Sequence, residues 1–181
     1  MIPALLVLEL ALRGAAAGIL AAMAVAFLRE GSSRSTRVSG GLFCLAAASY
    51  ALISSPILGE AMGVLRPVAI VPALGGIGYC WLFIVTLFED RLVSWKALTP
   101  AATLTAIGLA GVFMPPPTAG LALILHNLLG IALSLHALLI IKRSWLGDLV
   151  EPRRRIRGPL MAVVAGYAIA MSGVEIGQRL G

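Results

Sequence analysis

Long apolar runs separated by short polar stretches set the elements of this chain. The first run, residues 2–28, carries Glu9 and Arg13 near its start and stops at Arg29. It is not a signal peptide. Such a peptide needs a positive start and a small-residue cleavage site, whereas Phe27, Leu28, Arg29 and Glu30 follow here, so the span is read as retained. A polar loop, residues 29–37, leads to a second run at 38–58, with Pro56 near its end where a missing backbone donor costs little. A short connection at 59–66 precedes a third run at 67–88. Pro72 and the Gly75-Gly76 pair predict a kink in its first half.

The third run stops at Glu89-Asp90-Arg91, and a fourth, about 97–114, carries Pro100 in its first turn. It ends at Pro115-Pro116-Pro117, which cannot continue a helix and predicts a tight, stiff hairpin. The fifth run, 118–141, is closed by Lys142-Arg143, and the sixth spans 158–177 after the polar segment KRSWLGDLVEPRRRIR. No run alternates in the manner of a barrel strand, and in hydrocarbon every backbone polar group needs an internal partner. The pattern predicts an all-α polytopic bundle of six transmembrane helices forming one multi-pass domain over residues 1–181.

Composition agrees. The chain has 181 residues, 60% hydrophobic and 12% charged, against roughly 25% charged in a soluble domain. Its mean hydropathy is +0.99, which excludes a soluble single-domain enzyme. A membrane helix uses about 20 apolar residues, so the length is filled by six spans and short connections. Cys44 and Cys80 both fall inside apolar runs without ligand spacing and read as small buried hydrophobes.

The net charge of +6 changes the picture through where it sits. Eleven basic residues occupy the first, third and fifth loops: Arg29, Arg34, Arg37, Arg91, Lys96, Lys142, Arg143, Arg153, Arg154, Arg155 and Arg157. The opposite side holds only Arg66 and Arg179. Basic loops stay cytoplasmic, so both termini are expected outside, in the periplasm of a bacterial inner membrane.

Candidate chemistry is sparse. Glu9 and Arg13 are spaced i, i+4 and can neutralise each other, either as a pair snorkelling to the outer interface or as part of a ligand pocket. Glu175 and Arg179 repeat that spacing at the outer end of the sixth helix, with Gln178 between them. An outer polar cluster of helices one and six is therefore the preferred site for an unknown small-molecule ligand. His126 and His136, ten residues apart on the fifth helix, are rotated by about 80° and separated by about 15 Å, so they cannot share a metal ion. His126 with Asn127 is expected to make interhelical hydrogen bonds, and titration of either histidine as a pH sensor is the weaker alternative. No metal or cofactor is expected.

Gly14, Gly18 and Ala22 form a small-residue stripe, expected to serve intramolecular packing ahead of a homodimer seam. Trp81, Phe83, Phe88, Trp95 and Trp145 are compatible with an aromatic belt at the cytoplasmic interface. Asp148 caps a helix start, with Glu151 in capping-box spacing. Arg153, Arg154, Arg155 and Arg157 follow and suit anionic lipid headgroups, at about 1 kcal/mol each. One short loop supplies too little surface for nucleic acid. There is no phosphate loop, paired-carboxylate site or nucleophile and base arrangement, so no enzyme is expected.

Three segments together resemble a family. GDLVEPRRRIR (147–157) is similar to the "DDLVE-RRRLR" segment before the sixth helix in the membrane-embedded N-terminal domain of bacterial AraC-type helix-turn-helix regulators. YCWLFIVTLFEDRLVSWKALTP (79–100) resembles that family's aromatic-rich third helix, and LHNLLGIALSLHALLI (125–140) its fifth, with two histidines placed alike. The resemblance implies a sensor bundle of about seven helices preceding a cytoplasmic DNA-binding domain. This chain carries six runs and no helix-turn-helix pair, so it resembles the input half alone and is expected not to bind DNA by itself. A small transporter or permease is the alternative.

Overall fold

The computed structural model of the protein describes residues 4–29 and 33–144. Every regular element among them is helical: α1 (Ala4–Arg29), α2 (Arg34–Ile53), α3 (Pro56–Ala61), α4 (Arg66–Leu74), α5 (Gly76–Phe88), α6 (Thr99–Phe113) and α7 (Pro116–Ser144), with a 3-10 turn at Gly63–Leu65. The sixth run, 158–177, lies outside the described residues.

α1, α2 and α7 are long and apolar enough to cross a membrane. The segment 63–74 together with α5 makes a fourth span if the bent pair is taken as one. α6 has 15 residues, about 22 Å of helix, and is the shorter apolar helix of the set. Of the six spans expected, the described residues thus supply three or four, plus this shorter helix.

Both ends of α2 differ from the sequence reading. α2 begins at Arg34, four residues before the expected 38, so Arg34 and Arg37 lie in its first turn and not in a loop. Ser33 explains the early start: its hydroxyl accepts the Thr36 N–H at 3.2 Å, and a capped polar turn is as helical as an apolar one. α2 also ends at Ile53, not 58. Pro56 opens the separate helix α3 at its first position. Its ring forces the preceding Ser55 into extended backbone, with φ −91° and ψ 124°. The expected connection at 59–66 is consequently mostly helical.

The kink predicted in the third run is present. α4 and α5 are bent by 46° across Gly75, with Pro72 inside α4. Pro100 lies in the first turn of α6. The triple proline makes a connection of only Met114 and Pro115, because Pro116 and Pro117 already form the first turn of α7, where a missing N–H is tolerated.

Successive long elements alternate in direction, as named contacts show. Arg13 on α1 reaches Ser54 at the end of α2, and the Phe27 ring, near the other end of α1, lies over Gly40. Ser39 meets Thr86 where α2 crosses α5. Gly78 of α5 lies against Ala101 of α6, and Gly111 of α6 against Leu123 of α7. α5 occupies the middle, packed on α2, α6 and α7, while α1 packs chiefly on α2.

The core sits at one end of α5. Phe83, Ile84, Val85 and Phe88 pack with Ala137, Ile140 and Ile141 of α7. Phe83 takes the edge of Phe27 at 5.5 Å and stacks on Phe43 at 6.2 Å, geometries that suit the ring quadrupole. Phe83 and Phe88 are both 8% exposed, so they are core residues and not members of an interfacial belt. Trp95 remains exposed, with the Lys96 ammonium 5.6 Å from its ring centroid. Cys44 is buried and Cys80 half-buried, both as free thiols.

Because the elements alternate, Arg29, Arg34, Arg37, Arg91, Lys96, Lys142 and Arg143 collect at one end of the bundle. Arg66 lies at the other end, where α4 starts.

Candidate functional site

Among the described residues, polar clusters interrupt the apolar helices, and three of them hold residues singled out from the sequence. The first lies at the end of the bundle opposite the basic residues. Arg13 Nε donates to Glu9 Oε1 at 2.9 Å, the expected i, i+4 ion pair. Its Nη1 reaches farther, to the carbonyl of Ala51 at 3.3 Å and to the Ser54 hydroxyl. α2 ends at Ile53, so the Ala51 carbonyl lacks its helical donor, and the guanidinium supplies one. The side chains are 31% exposed at Arg13 and 46% at Glu9. Arg13 Nη2 and Glu9 Oε2 have no partner among the described residues.

Sequence reasoning found the Glu9–Arg13 pair but missed Ser54 and the Ala51 carbonyl. Ser54-Ser55-Pro56 is a helix-ending signal, and it is the feature that could have pointed there. The residues expected to complete this cluster from helix six, Glu175, Gln178 and Arg179, lie outside the described residues. So do Asp148, Glu151, Arg153, Arg154, Arg155 and Arg157 of the basic loop.

The second cluster surrounds the break at Gly75. His126 Nε2 of α7 lies 3.1 Å from the Leu74 carbonyl. Since a carbonyl only accepts, Nε2 carries the proton. Thr105 of α6 donates to the Ala101 carbonyl at 2.9 Å and sits 3.5 Å from the Val71 carbonyl. His126 thus makes the interhelical bond expected of it, to backbone. Asn127 has no hydrogen-bond partner among the described residues.

The third cluster joins α5 to α7 nearer the basic end. The Trp81 indole N–H donates to His136 Nδ1 at 2.8 Å, and the two rings stack with centroids 6.0 Å apart. The sequence alone presents Trp81 as a belt residue, because the partner that fixes it is 55 positions away. The histidines bind different groups and share no ligand. Among the described residues no group of three or more His, Cys, Asp or Glu side chains is placed to hold a metal ion.

The stripe of Gly14, Gly18 and Ala22 faces outward. Among the described residues nothing lies within 4 Å of where a side chain would begin at Gly14 or Gly18, so the expected packing partner is not found there. Arg37 Nε is sealed from solvent with no hydrogen-bond partner among the described residues.

No protein-family model, curated protein or solved structure matches this chain.

Proposed function

We propose that the chain is a multi-pass protein of the bacterial inner membrane, with six transmembrane helices and both termini in the periplasm, that receives a signal as a helix bundle. The reading is supported by basic side chains collecting at one end, as retention of positive loops in the cytoplasm requires. It resembles the membrane domain of AraC-type regulators through the segments quoted above. In this reading it is not an enzyme and does not itself bind DNA.

The observation that carries the signal site is the guanidinium of Arg13, held between Glu9 and the end of α2 with one nitrogen, Nη2, unpaired among the described residues. A small anionic or zwitterionic solute would exploit that nitrogen as a charge-assisted donor. Binding there would shift how α1 sits on α2, and with it the cytoplasmic loops, through differential affinity for two packings. Anionic lipid headgroups would hold the basic end.

The test is thermal unfolding of the purified full chain in detergent against a panel of small anions and zwitterions. A ligand at a hundredfold over its Kd stabilises by about 2.7 kcal/mol. A solute that stabilises the native chain but not Arg13→Gln supports the site. Solutes that stabilise both equally place the site elsewhere.

The broken span at Gly75 favours one second reading, a small transporter, since such proteins use discontinuous helices near the bilayer midplane. Substrate flux in proteoliposomes separates the two. Flux that is lost on disrupting the break supports transport, and a sealed vesicle opposes it.

A further inference from the structure

The break between α4 and α5 is bridged by side chains from two other helices. In an unbroken helix the Val71 carbonyl would accept the Gly75 N–H, and the Leu74 carbonyl the Gly78 N–H. Here the Gly75 N–H turns to the Ala73 carbonyl, and helical bonding across the break resumes with Tyr79 N–H donating to Gly75 at 3.0 Å. The Leu74 carbonyl takes His126 Nε2–H at 3.1 Å instead, and the Val71 carbonyl has the Thr105 hydroxyl at 3.5 Å. The Thr105 proton is engaged mainly by Ala101 at 2.9 Å, so His126 is the stronger of the two bridges.

We propose that Gly75 is a latched hinge, with His126, seconded by Thr105, holding the span bent. Straightening exchanges one donor for another at each carbonyl: Gly78 N–H replaces His126 at Leu74, and Gly75 N–H replaces Thr105 at Val71. The Leu74 carbonyl thus has a donor in both arrangements, as hydrocarbon requires of a helix that changes shape there. The cost of straightening falls on the His126 N–H, which loses its acceptor, and this is why the bent form is held.

The surroundings of the break suit movement. Leu74 and Ile77, which flank it, lie over Gly108 of α6 and Gly130 of α7. These surfaces have no side chain of their own to catch on. α4 has nine residues, an arm of about 13 Å, and turning it through the observed 46° moves its outer tip by about 10 Å. α4 packs on α2, whose end binds Arg13, so the swing reaches the outer polar cluster. The hinge takes from the preceding reading only that the helices lie in a bilayer; it does not depend on any signal, and a distance reports it without a ligand.

The experiment is a pair of spin-label distances in lipid bilayers on the full chain with Cys44→Ala and Cys80→Ala. Labels at Val64→Cys and Phe113→Cys report the outer tip of α4 against the outer end of α6. Labels at Leu92→Cys and Arg143→Cys report the opposite end. His126→Ala with Thr105→Val is expected to move the 64–113 distance by several ångströms, up to about 10 Å, and to leave 92–143 unchanged. His126→Gln, which keeps an N–H donor, is expected to retain both distances. A 64–113 distribution unchanged in the double variant overturns the latch. If that variant loses both distances, His126→Gln decides: retention supports donation to Leu74, and loss overturns it.

Discussion

The hydroxyls of Ser39 and Thr86 lie 2.7 Å apart where α2 crosses α5, with side chains 0% and 1% exposed. Each also has a carbonyl of its own helix in reach, Ser35 at 2.9 Å for Ser39 and Phe83 at 2.9 Å for Thr86. Two protons cannot make all of these bonds at once, so one hydroxyl donates to its own helix and the other donates across. The pair therefore ties two helices together at a point where no water can substitute.

Removing either hydroxyl should loosen that tie. Ser39→Ala and Thr86→Val are each expected to destabilise by about 1–2 kcal/mol, with a coupling of about 0.6–1.7 kcal/mol in a double-mutant cycle. Reversible unfolding in mixed micelles measures both. A coupling of zero would mean that the two hydroxyls act independently.

Glycines at two places should respond in opposite ways. A Cβ at Gly78 would sit 2.4 Å from the Ala101 Cα and 2.6 Å from its nitrogen, backbone atoms that cannot turn aside. Gly78→Ala must push α5 from α6, an overpacking cost of about 1–3 kcal/mol. Gly14→Ala meets nothing within 4 Å among the described residues and gains helix propensity of up to about 1 kcal/mol. Melting temperatures of the two variants should therefore move in opposite directions.

The Trp81–His136 bond fixes a tautomer. The indole nitrogen is a donor only, so His136 accepts at Nδ1 and carries its proton on Nε2 when neutral. Nitrogen-15 NMR of histidine-labelled protein should show that form for His136, and Trp81→Phe should shift its Nδ1 resonance. Finding the proton on Nδ1 in the native chain would contradict the contact.

The helices were legible in sequence where apolar length alone decides, as in α1, α6 and α7, and the break at Gly75 was legible because proline and glycine act locally. The start of α2 was not, because Arg34, Ser35, Thr36 and Arg37 look like a loop until Ser33 is seen to cap them. Ion pairing of Glu9 with Arg13 follows from helical spacing. Partners such as Ser54 for Arg13 and Trp81 for His136 depend on which helices touch, and no periodicity carries that information. Phe83 and Phe88 stand near a charged loop and so look interfacial in the sequence, but the depth at which α7 covers them decides their burial.

Alternation of the helices puts Val64, 90% exposed, and Leu92, 81% exposed, at opposite ends of the bent span. Single cysteines at these positions, in a chain with Cys44→Ala and Cys80→Ala, can be probed in intact cells with a membrane-impermeant maleimide. Val64→Cys is expected to react from outside and Leu92→Cys only after the membrane is opened. The reverse pattern, or equal labelling of both in intact cells, would contradict it.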